Sequence, residues 1–579
     1  MKAVFKYYKK YAHLIFASLL FLTLEAICEL QLPSYMSGLV SEGIGKSDMS
    51  MVWSYGWRML VITLVACVCS VFVGYFASKA SARMSRDLRS DMFAKVMDFA
   101  NEEYNKFSVS SLITRCTNDI TQIQMLTYIF LRMIMFAPIM GIGGTIKAIQ
   151  FSSGINALAF VIVGAIAVVV VLIVIALTIV QPKYMKMQKQ IDKVNQIAGD
   201  ELNGMLVIRA FNTQKHEEER FDNANKDLTK TALFTTRLMA ILMPVMTIVM
   251  NGVMIAVIWI FAAKVEDINQ ISNMMAFMQY ALHIIMSFMM ISMIFIVLPR
   301  AIVSTNRVGE VLSMPVSITN KEDKQTPSGV RFKGDIKFDN VSYSYGGGVP
   351  AVEGISFEAK SGEVTALIGS TGSGKSTIIN LIPRLMDVSS GSVSIDGINV
   401  KDINLKDLRN NIGFVPQKNT LFSGTIESNI EYGKTQINQE EMQKASRIAQ
   451  AEEFINSSEE GYKREIAQGG SNVSGGQKQR LAIARALSKN APIYIFDDSF
   501  SALDFKTDAK LRMALNEEMA DATVIIVAQR VGTIKNADRI IVLDEGKIVG
   551  MGKHEDLLKN CSTYLDIAKS QLSEEELGL

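Results

Sequence analysis

Charge is scarce in this chain: 20% of its 579 residues are charged against 49% hydrophobic. That is rather apolar for a soluble protein and too long for one core, so a membrane portion is expected. An excess of either sign is also missing, the net charge being +2, which gives no electrostatic footprint for nucleic acid. Cysteine is sparse as well. Cys28, Cys67, Cys69, Cys116 and Cys561 show no metal-ligand spacing. Cys67 and Cys69, two residues apart on a helix, point to different faces, so neither a zinc site nor a local disulfide follows. The first apolar run lacks an A-x-A-type cleavage site and is long enough to span, so it is not read as a signal peptide.

Long apolar runs are present, but only in the first half. Six stretches reach the roughly 20 residues a bilayer needs, at about 14–40, 57–80, 124–148, 157–181, 238–263 and 275–298. They make 1–315 a six-helix membrane domain. Near residue 315 the character changes to SMPVSITNKEDKQTPSGVRF, whose Pro, Lys, Asp and Gly mark a linker over 316–332. Lysine and arginine set the expected orientation. Segment 82–122 carries Arg83, Arg86, Arg89, Lys95, Lys106 and Arg115, and 183–237 is richer still, whereas the opposite short loops hold only Lys46 and Lys264. Both termini are therefore expected in the cytoplasm. The two long excursions lack Pro and Gly almost entirely and read as helices continuing out of the membrane, with turning regions at 108–124 and 201–221.

The second half holds VTALIGSTGSGKSTIIN at 364–380, which reads as strand, glycine loop, helix. Glycines let backbone N–H groups turn inward on a phosphate, and the helix N-terminus adds a favourable dipole. The loop comprises Gly369, Ser370, Thr371, Gly372, Ser373, Gly374, Lys375, Ser376 and Thr377. Lys375 supplies charge for the β- and γ-oxygens, and Ser376 can ligate Mg²⁺. Alone, this says that a nucleoside triphosphate is bound. About a hundred residues later stands NVSGGQKQR, where Ser474 is a good N-cap and Gly475 and Gly476, followed by Gln477, expose donors at a helix start. It is followed by the apolar strand IYIFDD, ending in Asp497 and Asp498.

Together with Gln417 in VPQK and the SALD segment ending at Asp504, these motifs come in the order of an ABC-transporter ATPase domain. With six spans ahead, the whole chain resembles one half of an ABC exporter of the multidrug or lipid-flippase type. The resemblance implies a membrane α-helical domain followed by an α/β P-loop ATPase domain over 333–570, with an acidic tail at 571–579. It implies ATP and Mg²⁺ as cofactors, with Ser376, Gln417 and Asp497 on the metal, and it assigns Tyr345 to stack on adenine, with Tyr343 as rival. Segments 108–124 and 201–221 match the family's coupling helices. In relatives SGGQ covers the γ-phosphate held by a second ATPase domain, so a dimer is implied, in a bacterial plasma membrane among lipids.

Two departures fall on the site built around this chain's own loop. Asp498 stands where the family usually has the glutamate that orients the attacking water, and Gln529 in VAQR where it usually has histidine. A third, Gln468 in AQG, is milder. The pattern resembles the degenerate subunit of heterodimeric bacterial exporters, which implies a different partner chain carrying the glutamate and histidine. A slow homodimer and an ATP-gated, channel-like protein are the alternatives. For the cargo, a small amphipathic compound, the clues are Glu25, Glu29 and Arg132 within the spans, because ionisable groups in a bilayer often mark a pathway. The rival reading is a structural Glu–Arg pair. Spans five and six also hold many of the 33 methionines, among them Met243, Met246, Met250, Met278, Met286, Met289, Met290 and Met293, whose commonest role is packing.

Overall fold

Long uninterrupted apolar sequence makes long helices here. In the computed structural model, which describes residues 2–152, 155–175, 178–179, 181–262, 268–320, 329–434, 437–573 and 577, six described helices can cross a membrane by length and composition. They are Ala12–Ile44, Met49–Met97, Val109–Phe151, Asn156–Ile175, Pro244–Ala262 and Ile268–Ile291. Each coincides with one expected span, although residues 176, 177 and 180 of the fourth lie outside the described residues, as does Lys264.

The chain divides into two units: Met1–Met97 with Val109–Met314, and Asp98–Ser108 with Pro315–Leu579. In the first, small and apolar residues interlock around Tyr280, which is fully buried and donates its hydroxyl to the Leu30 carbonyl at 2.8 Å. Met246 is buried in this core, and Met250, Met278 and Met289 pack against it, as a packing role requires. The side chains of Met243 and Met293 lie outside the described residues. Nearer the polar end, buried Asp119 accepts from Ser304 at 2.9 Å and pairs with Arg307 at 3.2 Å, tying the third span's helix to the sixth.

The first turning region is displaced from its expected place. The hairpin turns at Asp98–Ser108, around the short helix Asn101–Lys106, while most of 108–124 is already helix running into the third span. The polar residues there do not break the helix because their hydroxyls bond back within it: Thr114 to the Ser110 carbonyl, Thr117 to Ile113 and Thr121 to Thr117, at 2.9, 2.7 and 3.0 Å. The tip is held by Glu103, buried, which accepts from Ala100 N at 2.8 Å and Ser317 N at 3.1 Å. The second region, 201–221, does bracket a turn, with the short helix Met205–Ala210 between Gln181–Asn203 and Gln214–Ala262. Its tip leaves Leu206, Val207 and Phe211 exposed.

In the second unit a six-stranded sheet has the order 547–552, 539–544, 364–369, 523–527, 493–497, 412–415. All neighbours are parallel except the first pair. Strands buried on both faces read as continuous apolar runs. Tyr494, Phe496, Val524 and Ile526 enter one core, and Ile493, Ile495, Ile525 and Val527 the other, the alternation that a pleated strand imposes. A four-stranded sheet, in the order 350–359, 336–344, 390–395, 398–399, completes the unit. The expected linker is fastened at both described ends. Leu405 N donates to Asn320 Oδ1 at 2.9 Å and Phe332 N to Asn411 Oδ1 at 3.2 Å, while 321–328 lie outside the described residues, as do most of the acidic tail's.

Candidate functional site

Parallel strands deliver their carboxyl ends to one edge of a sheet, which is where α/β proteins bind ligands. Four such ends meet here. Val527 pairs with Leu367, two residues before Gly369 closes that strand, and on its other side with Asp497, and Val415 pairs with Phe496. The glycine loop, Gln529, Asp498 and Gln417 follow directly from these strands, so residues more than a hundred positions apart are brought together.

The loop is shaped by contact. A Cβ at Gly369 would come within 2.1 Å of the Leu543 carbonyl oxygen, and one at Gly374, whose φ is +94°, within 2.4 Å of Val352 Cγ1. Lys375 Nζ lies across the loop, donating to Gly369 O at 2.9 Å, Ser370 O at 2.6 Å and Ser373 Oγ at 3.2 Å. Burial lowers its pKa, opposed by the carboxylates of Asp497 and Asp498. A half-buried ammonium held by neutral acceptors is a place prepared for an anion. Ser376, exposed, donates to Asp497 Oδ1 at 3.3 Å, an all-oxygen pairing of the kind Mg²⁺ takes. Thr377 is buried, and its Oγ1 lies 3.1 Å from the Tyr345 hydroxyl. The two tyrosines are separated by burial: Tyr343 is 8% exposed and Tyr345 54%, which leaves Tyr345 the accessible ring.

Burial raises the pKa of Asp497, and likewise that of Asp498, where Arg530, Lys375 and a hydrogen bond from Gln417 oppose it. Gln529 Nε2 donates to Asp498 Oδ2 at 3.0 Å. The backbone of Asp498 has φ +47°, a left-handed conformation that aspartate tolerates better than most residues. The carboxylate therefore meets two side-chain amides and no basic ring.

At the SGGQ segment Ser474 and Gln477 form a reciprocal cap: Gln477 N donates to Ser474 Oγ at 3.2 Å and Ser474 N to Gln477 Oε1 at 3.0 Å. This starts the helix Gly475–Leu487 and leaves Ser474 and Gly475 exposed. Asp504 caps the next helix, accepting from Thr507 N at 2.9 Å.

Two residues were not singled out from sequence. Buried Gln479 donates to the Asp498 carbonyl at 3.3 Å and accepts from Ala502 N at 3.2 Å, joining the SGGQ helix to the tandem aspartates. The signal was available, since Gln479 heads the apolar stripe Ala482, Ile483, Ala486, and a buried amide needs partners. Gln571 accepts from Val531 N at 2.8 Å and donates to Gln529 O at 2.9 Å, bracing the loop that carries Gln529 from the far end of the chain. No local pattern marks it.

Fold and site together define a P-loop ATPase fused to a six-span membrane unit. The family model described as "ABC transporter transmembrane region" matches residues 15–290 and that described as "ABC transporter" matches 352–501. An uncharacterized ABC transporter ATP-binding protein of Mycobacterium tuberculosis (strain ATCC 25618 / H37Rv) is 38% identical over 97% of both chains. An ATP-dependent lipid A-core flippase of Albidiferax ferrireducens is 30% identical over 98% of this chain and 97% of its own. In fold, the chain is similar to a bacterial Atm1-family ABC exporter solved with ATP bound, with a TM-score of 0.79 at 23% identity, covering 97% of this chain and 99% of that one. The chain belongs to the ABC transporter family. It is an integral membrane protein whose ATPase domain is of the kind that couples ATP hydrolysis to transport.

Proposed function

We propose that this chain is one half of an ATP-driven exporter of amphipathic or hydrophobic compounds (drugs, lipids or peptides) with a weak ATP site of its own and an SGGQ segment that completes a faster site on a different partner chain. Both termini lie in the cytoplasm of a bacterium, following the basic loops. The relatives named lipid A-core flippases support a membrane-borne amphipath as cargo.

The observation that carries the reading is the Asp498–Gln529 contact at 3.0 Å. Aspartate is one methylene shorter than glutamate, about 1.5 Å of reach, and a displacement on the order of 1 Å costs about a hundredfold in rate. The amide of Gln529 occupies the carboxylate's second oxygen without offering a ring that changes charge near neutral pH. Lys375, Ser376 and Asp497 keep the donors and acceptors that ATP and Mg²⁺ need, so binding survives where water activation fails. When bound, Mg²⁺ supplies positive charge to the phosphates. Tyr345 is the ring offered to adenine and Gln417 the side chain that reports the site to the membrane half. The exposed Leu206, Val207 and Phe211 and the braced tip at 101–106 support coupling roles for the two turning regions.

The test is ATP turnover by the purified full chain, alone and co-purified with its partner. Alone, the wild type is expected to hydrolyse near background, and Asp498→Glu with Gln529→His to gain at least about tenfold, a recovered part of the hundredfold above. Brisk hydrolysis by the wild-type chain alone would overturn the weak-site reading. Absence of any partner, with slow turnover retained, would leave the slow homodimer.

A further inference from the structure

Three membrane spans converge on a cavity that holds two carboxylates and one guanidinium. Its volume is about 330 Å³, and it is lined by Glu25, Glu29, Arg132, Met133, Phe136 and Met290. Glu25 and Glu29 belong to the helix Ala12–Gly38 and, four residues apart, share one face. Arg132 comes from a π-helical turn, Phe130–Ile134, within the third span; such turns are rare and recur at functional sites. The second span makes room for it, since a Cβ at Gly74 would lie 3.1 Å from Arg132 Nη1.

The guanidinium donates to the Tyr128 hydroxyl at 3.0 Å. Among the described residues, no ion pair at contact distance includes Glu25, Glu29 or Arg132, but Ser70 donates a hydrogen bond to Glu25 and the charge of Arg132 acts on it, while the charge acting on Glu29 is that of Glu25. Arg132 thus serves Glu25 electrostatically without a contact-distance salt bridge, and Glu29 is left beside a second carboxylate. Two carboxylates at membrane depth that share one guanidinium are costly, and a ligand that brings positive charge relieves that cost. Two carboxylates against one guanidinium select a cation over an anion, and Arg132 disfavours a second positive charge. The other walls suit an apolar body: methionine adapts to varied shapes, and the face of Phe136 attracts cations. A volume near 300 Å³ is the lower end of what small-molecule sites use.

We propose that this cavity binds a singly charged amphipathic organic cation, its charge between Glu25 and Glu29 and its apolar part against Met133, Phe136 and Met290. The inference rests on the exporter reading for its purpose, as the cargo site, but binding itself requires no turnover.

The test is equilibrium binding of radiolabelled tetraphenylphosphonium to the full chain in nanodiscs, with empty nanodiscs subtracted, and with tetraphenylborate as a probe of the same shape and opposite charge. Saturable phosphonium binding is expected, weakened at least about tenfold, the equivalent of 1.4 kcal/mol, in Glu25→Gln with Glu29→Gln, and largely kept in Glu25→Asp with Glu29→Asp. Arg132→Gln should tighten it. Equal affinity in the wild type and the double glutamine variant, or tighter binding of the borate, overturns the proposal. Should the double variant fail to fold, Arg132→Gln decides, with unchanged or weaker phosphonium binding counting against the site. Cation binding in a protein that never hydrolyses ATP, with or without its partner, would sink the exporter reading and leave the cavity standing.

Discussion

Asp498 shows both how much a single residue reveals in sequence and where that stops. Its chemistry was legible, because a buried apolar run ending in tandem aspartates fixes a strand end and a pair of carboxylates, and the shorter side chain is visible by type. Its partners were legible only through the family resemblance, which puts Gln529 at a position that meets the carboxylate. Gln417 and Gln529 reach it only because strands 412–415 and 523–527 flank strand 493–497, a pairing across long sequence separations that no local pattern encodes. Asp508 makes a related point. It is buried, with Oδ2 accepting from Arg512 at 2.8 Å and Oδ1 without a hydrogen-bond partner, and burial raises its pKa despite Arg512. A carboxyl that holds its proton more tightly folded than unfolded contributes stability below the ordinary carboxylate range and loses it as pH rises through the folded value. Raising the pH through that range should therefore cost the wild-type chain more thermal stability than Asp508→Asn. Parallel melting curves of the two would contradict this.

At the scale of elements, helices were legible where one period ran long enough, and misplaced where polar residues hid inside one. The threonines of 108–124 looked like a turn because hydroxyl side chains compete with helical hydrogen bonds in general; here they bond within the helix, and the turn falls upstream at a segment whose charge gave no such signal. The start of Gly475–Leu487 was the opposite case, since serine followed three residues later by glutamine is a capping signature, and the structure forms both bonds. Ser474→Ala removes one of them, which for a cap costs about 1 kcal/mol. In the full chain this should appear as a lower melting temperature without nucleotide. In the proposed pair, it should also appear as slower ATP turnover, because the same end faces the partner's phosphate. A melting loss with turnover unchanged would restrict the segment to a structural role.

At the scale of the whole molecule, an intact SGGQ segment on a chain with a weakened carboxylate creates an asymmetry that can be ranked. In the proposed pair, each site takes a glycine loop from one chain and an SGGQ segment from the other. Gly475→Asp places a carboxylate at the exposed N-terminus of the helix Gly475–Leu487, where it takes up the dipole and backbone donors that would meet the partner's γ-phosphate. Asp498→Asn alters only the site that already hydrolyses slowly. Turnover of the assembled pair should fall on the order of a hundredfold with the first change, the scale of losing an oxyanion-type donor set, and stay within about twofold of the wild type with the second, since removing a base that is already misplaced by about 1 Å has little rate left to lose. Vanadate trapping should mark the same asymmetry, holding nucleotide at the partner's loop and sparing Lys375. If Asp498→Asn proves as damaging as Gly475→Asp, the water-activating carboxylate of the pair is on this chain, and its shortness is no handicap.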